Sequence, residues 1–292
     1  MTHPVQGGTP LRRIWLCADD YGISPSVSRG IRELVQQGRL NATSVMVVAQ
    51  SFGPAEAAAL HALNGDTWRV AIGLHLTLTA PFRPLTAGYA PTRDGTFLPL
   101  GETLLRGLMH LLRPEALKVE VTAQLKAFVA AFGRPPDFVD GHQHVHLFPQ
   151  VRDAVLNAVR EIALDAWVRQ CGSAVPLHKR LHDRKAILLD ALSSTFRKKA
   201  KALGVATNPA FAGTYDFAGP REPDYAARFP AFLDNLPGGS LVMCHPGFVD
   251  AELERLDPLT TMREREYAFF ASDQFLRVLS TSGVALANKN SA

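Results

Sequence analysis

Short apolar runs alternate with helical patterns from residue 13 to residue 287, and no other feature of this sequence limits the fold so tightly. Runs at 13–18, 43–48, 68–74, 166–169, 205–211, 239–244 and 283–287 have the length and composition of buried strands. A further run, Pro136-Asp137-Phe138-Val139, leads into three histidines. Between the runs lie helical stretches. Ser24 at an N-cap and Pro25 at the first turn open one whose Val27, Ile31, Leu34 and Val35 share a face, and Gly38 stops it. Others are expected over 54–63, 114–132, 150–163, 185–203, 225–236 and 262–279. Seven or eight βα units follow, with no internal repeat and no break of linker composition. They predict one α/β domain over residues 1–292. Its simplest form is a TIM-like β/α barrel of seven or eight strands with the active site at the carboxyl ends of the strands, and a doubly wound open sheet is the alternative. Residues 81–99, dominated by Pro, Gly, Thr and Arg, read as a loop insertion.

Polar side chains gather where the apolar runs end. Asp19 and Asp20 follow the first run, His75 the third, His142 the fourth and His245 the late run at 239–244. In a parallel β/α fold these ends share one face, so four motifs distant in sequence converge. In Asp140-Gly141-His142-Gln143-His144-Val145-His146 the histidines stand at i, i+2 and i+4, which on an extended segment places all three on one face. Neutral imidazole is the commonest protein metal ligand, and two histidines with a carboxylate and an open position make a hydrolytic metal site. An adjacent carboxylate that is not a ligand can act as general base, and His245 can protonate a leaving group. The sequence leaves open which of Asp19 and Asp20 does which. No nucleophile elbow or phosphate-binding loop competes.

Bulk properties exclude several classes. The 292 residues are 47% hydrophobic and 20% charged with a formal net charge of +4, ample for a core and only mildly basic. The densest basic run, Arg197-Lys198-Lys199 with Lys201, sits on an expected helix as a solvated face, and no aromatic-interleaved patch points to nucleic acid. Cys17, Cys171 and Cys244 are odd in number and lack metal or redox spacing, so a reducing, cytoplasmic setting is expected. No stretch nears the ~18 apolar residues of a membrane span, and residues 1–13 lack a signal core. Homo-oligomerisation is left open.

Four motifs carry a resemblance. Ala18-Asp19-Asp20-Tyr21-Gly22-Ile23-Ser24, Ile72-Gly73-Leu74-His75-Leu76-Thr77, Asp140 to His146, and Met243-Cys244-His245-Pro246-Gly247 occur in one order over 14–247. In this the chain resembles the YdjC-like carbohydrate deacetylases, a family that includes chitooligosaccharide deacetylases and deacetylases of hopanoid biosynthesis. The resemblance implies a β/α barrel that removes acetyl groups from N-acetylated sugars with one divalent ion. It implies ligation by Asp20, His75 and His142, with Asp19 as base and His245 as acid. Ligand softness favours zinc, while the resemblance points to magnesium for some members. Asp140, His144 and His146 are left as supporting or substrate-contacting residues. The substrate expected is a small oligosaccharide or glycolipid. Phe211, Tyr215 and Phe217 could stack on a sugar or simply pack. In the 81–99 loop, Phe82 and Tyr89 could offer apolar faces, and Arg83 and Arg93 could bond hydroxyls. The basic 180–201 region matches no assigned part.

Two rivals remain at this stage. An amidohydrolase-type barrel normally carries its histidine pair after the first strand, where this chain has Asp19-Asp20. A catalytically silent sugar-binding homologue would have lost a base, acid or ligand, and none is lost.

Overall fold

A computed structural model describes residues 11–65, 67–175, 184–215 and 224–288. Its strands are β1 (Arg12–Tyr21), β2 (Ala42–Val45), β3 (Ala71–Leu76), β4 (Phe138–Gly141), β5 (Trp167–Val168), β6 (Phe211–Ala212), β7 (Leu241–Cys244) and β8 (Val284–Leu286). All pairings between them are parallel, in the order β5-β4-β3-β2-β1-β7-β6, with β8 set against the first residues of β1. The sheet curls until its outer strands approach. Isolated bridges join Val168 to Thr207 and Ser173 to Phe211, and Val168 N–H donates to Ala206 O at 2.9 Å and Phe211 N–H to Gly172 O at 3.0 Å. Seven parallel strands thus form a β/α barrel whose β5–β6 seam is its thinnest join.

Strand composition explains the arrangement. From Ile14 to Ala18, β1 is buried at every position, as expected for a parallel strand covered on both faces. Gly73 lets β3 pass under Phe138 of β4, because a Cβ there would stand 2.5 Å from the ring. Asn41 pins the base: its amide donates to Ile14 O and Ala287 O while its oxygen accepts from Leu16 N–H.

The helices are α1 (Pro25–Gln36), α2 (Pro54–His61), α3 (Leu100–Leu108), α4 (Pro114–Phe132), α5 (Val151–Ile162), α6 (Arg184–Ala202), α7 (Tyr225–Leu233), α8 (Ala251–Leu256), α9 (Thr261–Ala271) and α10 (Asp273–Thr281). Ser24 caps α1 by accepting from Val27 N–H, with Pro25 in its first turn. No helix among the described residues is long and apolar enough to cross a membrane.

Two expectations are corrected and one helix is added. The pattern over 262–279 is two helices, because Ser272 ends α9 and caps α10 through Phe275 N–H. The run at 205–211 is irregular up to β6, since Pro209 has no N–H for a ladder. Helix α3 goes unread between the loop and α4. Its Thr103 and Gly107 face inward, with Gly107 against the Pro149 carbonyl.

Candidate metal centre and acid–base site

The strand ends do meet, by means that the sequence pattern only partly announces. Asp19 and Asp20 are neighbours, and in a regular strand they would face opposite sides. Asp20 adopts φ 66, and the β1–β2 register slips between Ala18 and Tyr21. This bulge turns both carboxylates toward one cluster. Both are buried.

Asp20 Oδ1 lies 3.0 Å from His142 Nδ1 and 3.3 Å from His75 Nε2. These ligand atoms all lie within 4.8 Å of one another. The Nδ1–H of His75 donates to Asp140 Oδ1 at 2.6 Å, and Ser44 Oγ is 2.9 Å from the same nitrogen. That assignment of the Nδ1 proton leaves Nε2 facing the Asp20 carboxylate. Burial opposes charge on His75, but Asp140 outweighs it and carries the pKa up to about 10. Asp20 and the two imidazoles thus present converging donor atoms at a place that suits a divalent cation. A carboxylate behind a ligand imidazole is also the usual support of a metal-binding histidine. The donor set fits a divalent ion.

Two fully buried arginines surround this cluster. Arg169, just past β5, grips Asp19 with both terminal nitrogens, at 2.7 and 2.6 Å. Its Nη2 is also 2.5 Å from Asp140 Oδ2, off the line of a hydrogen bond, so that contact is an ion pair. Burial would raise the Asp19 carboxyl, yet Arg169 holds it well below the usual carboxylate range. Cys17, Asp19 and Asp140 are a second group of potential ligands, but the Arg169 guanidinium already lies among them. Arg263, from α9, donates to Asp20 Oδ2 at 2.6 Å and to Asp257 Oδ2 at 2.8 Å. Burial again opposes ionisation of Asp20, and Arg263 and His142 override it. Only Oδ1 of Asp20 is left facing the histidines.

The histidine row is not one face of a strand, which corrects the expectation of an extended segment. β4 ends at Gly141, and residues 142–147 form a tight 3-10 turn with Gln143 and His144 in the left-handed region (φ 53 and 58). The turn sends the three rings apart. His142 meets Asp20. His144 lies near Cys171 Sγ, 3.5 Å away, and edge-on to Phe211, and burial pushes its pKa down to about 3. His146 points into the core, where Nε2–H donates to Arg169 O at 2.8 Å, so it supports the arginine and does not line the cluster.

His245 follows β7, the strand paired with β1, and is half-buried. Its N–H donates to Glu266 Oε2 at 2.5 Å, and Glu266 Oε1 accepts from Tyr215 Oη–H at 2.5 Å. Burial lowers the His245 pKa, with Asp20 and Asp19 pulling the other way.

The loop expectations also change. Phe82 is buried with its ring edge-on to His142, the centroids 5.6 Å apart. Tyr89 is buried against Phe97 and offers no face to a ligand. Arg93 pairs with Glu102 at 2.8 Å, while Arg83 is exposed. Phe211 is buried and Tyr215 half-buried in an aromatic cluster. Phe217 and residues 180–183 lie outside the described residues. Arg169, Arg263, Glu266 and Ser44 were missed from sequence. Arg169 alone carried a usable signal, as a charge closing an apolar run.

The fold has relatives among known proteins. In fold the chain is similar to a proposed cellobiose-phosphate cleavage protein from Enterococcus faecalis V583, with a TM-score of 0.72 at 21% identity, over 96% of this chain and 98% of that one. It is also similar to the Bc1960 peptidoglycan N-acetylglucosamine deacetylase, with a TM-score of 0.51 at 10% identity, over 96% and 86%. A lactam utilization protein from Thermus thermophilus gives 0.50 at 16%, over 94% and 99%. The family model described as YdjC-like protein matches residues 13–281, and the chain belongs to that family.

Proposed function

We propose that this protein is a metal-dependent hydrolase that removes the acetyl group from an N-acetylated amino sugar. The observation that carries the reading is the meeting of Asp20, His75 and His142 beside a second carboxylate, Asp19, that is clamped separately by Arg169. Membership of the YdjC-like family and the fold shared with an N-acetylglucosamine deacetylase support it.

Asp20, His75 and His142 would hold the ion. When bound, such an ion would supply Lewis-acid chemistry toward the acetyl carbonyl and would lower the pKa of water near it. Asp19 is kept ionised by Arg169 and takes the proton from the attacking water. His245, which follows β7 beside β1, gives a proton to the departing nitrogen, which leaves poorly as an anion. Arg263 and Asp140 fix the ligand orientations from behind.

The test is acetate release from a panel of N-acetylated saccharides and glycolipids, with and without added zinc or magnesium. The wild type should release acetate only with metal. Asp19→Asn should keep metal while activity falls by ~10²–10⁴-fold. His75→Ala and His142→Ala should lose metal by elemental analysis. Undiminished activity in stripped protein overturns the reading. Metal loss in Asp19→Asn with retention in Asp20→Asn would exchange the two roles.

A further inference from the structure

The backbone that carries His245 is gripped by α9. From His245 to Gly247 the chain has two amide hydrogens, because Pro246 has none. Both are donated to that helix. The His245 N–H goes to Glu266 Oε2 at 2.5 Å and the Gly247 N–H to Arg263 O at 3.1 Å. On its other side the segment meets the backbone of α1. A Cβ on Gly247 would stand 3.0 Å from Val27 Cα, and one on Gly30 would stand 3.0 Å from Gly247 Cα. The segment is therefore wedged between α1 and α9.

The same turn of α9 reaches Asp20. Arg263 donates from Nη2 to Asp20 Oδ2 at 2.6 Å, and it stands three residues before Glu266, on the same face. One helical turn thus fixes Asp20 and the His245 backbone relative to each other. Glu266 is fully buried, and a buried carboxyl is a costly way to fill a core. Its second oxygen accepts from Tyr215 Oη–H at 2.5 Å, so both oxygens are engaged. An apolar side chain would be cheaper to bury there and would hold neither group.

We propose that Glu266 is a positioning residue for His245, setting the place of that ring relative to Asp20 through the His245 backbone N–H, a role that rests on the deacetylase reading in which His245 protonates the departing nitrogen. Only bond cleavage that needs this proton would then suffer when Glu266 is changed. A sugar amine must be protonated to leave, whereas the nitrophenolate of para-nitrophenyl acetate leaves without a proton.

The experiment compares two variants of similar size. Glu266→Met fills the space but has no acceptor, and Glu266→Gln keeps one. Glu266→Met should lower kcat on an N-acetylated saccharide by about 10²-fold, the cost of a small misplacement of a catalytic group, with KM, metal content and para-nitrophenyl acetate hydrolysis held. Glu266→Gln should restore most of the loss. In a His245→Ala background Glu266→Met should cost nothing further, since it acts through that ring. In NMR spectra of isotope-labelled histidine, the His245 ring signals should shift in Glu266→Met and stay in place in Glu266→Gln. Should Glu266→Met not fold, Glu266→Asp withdraws the acceptor by one methylene and gives the same split with a smaller loss. Equal losses on amide and ester, a further loss in the His245→Ala background, or an unmoved His245 ring overturns the proposal. A wild type that releases no acetate from any saccharide overturns the deacetylase reading instead, and the ring signals then decide whether Glu266 positions His245.

Discussion

Arg169 is the side chain on which the most polar structure depends. It neutralises Asp19 and Asp140, and Asp140 in turn orients His75. Buried ions are costly unless paired, and removing one partner leaves the other stranded. Arg169→Met should therefore cost about 3–5 kcal/mol, the usual loss on breaking a buried pair. Thermal unfolding at pH 7 should show a drop on the order of 10 °C. The deficit should shrink in acid, where the stranded carboxylates can protonate. A variant as stable as wild type would mean that the clamp contributes nothing to the fold. This residue was within reach of sequence reasoning, because it closes an apolar run just as Asp19 and His75 do. It passed unnoticed because a lone arginine at a strand end has no motif of its own. Arg263 and Glu266 gave no such signal, since they sit mid-helix among ordinary charged residues.

At the level of elements, the site is assembled by departures from regularity. The bulge at Asp20 and the left-handed pair Gln143 and His144 re-aim side chains that strand alternation would have placed elsewhere. Period-two reasoning could find the residues but not their directions. Helix α9 supplies Arg263 and Glu266 three residues apart, so they share a face, one reaching Asp20 and the other the His245 backbone. Burial raises the Glu266 carboxyl to about 7, although Tyr215 and the His245 N–H favour its ionised form. Between pH 4.5 and 7 the folded state keeps a proton there that the unfolded chain releases. Stability from this group is thus complete below about pH 4.5 and is lost as pH rises through 7, by about 3 kcal/mol at most. Glu266→Gln does not titrate, so its stability should gain on wild type across that range. Denaturant melts at about pH 4.5 and 7.5 would check this. A gap that widens in favour of wild type at the higher pH would refute it.

Across the whole molecule, the order of strands and helices was legible because parallel strands covered on both faces are apolar runs, as in β1 and β7. The closure was not. β5 and β6 have two residues each, and the seam between them rests on single bridges that no hydrophobic pattern encodes. The consequence is an uneven barrel. β1 is paired on both sides and carries Asp19 and Asp20, whereas the arginine that holds Asp19 hangs from β5, beside the seam. Native-state hydrogen exchange should reveal the difference. Amides of β1 between Trp15 and Ala18 should exchange only through global unfolding. Val168 N–H and Phe211 N–H, which close the seam, should exchange through local opening, with protection lower by roughly a hundredfold or more. Opening there would loosen Arg169 and slacken its grip on Asp19 and on Asp140, which holds His75. Equal protection at the seam and in β1 would show instead that the barrel opens as one cooperative unit, with the proposed base and metal ligands equally secured.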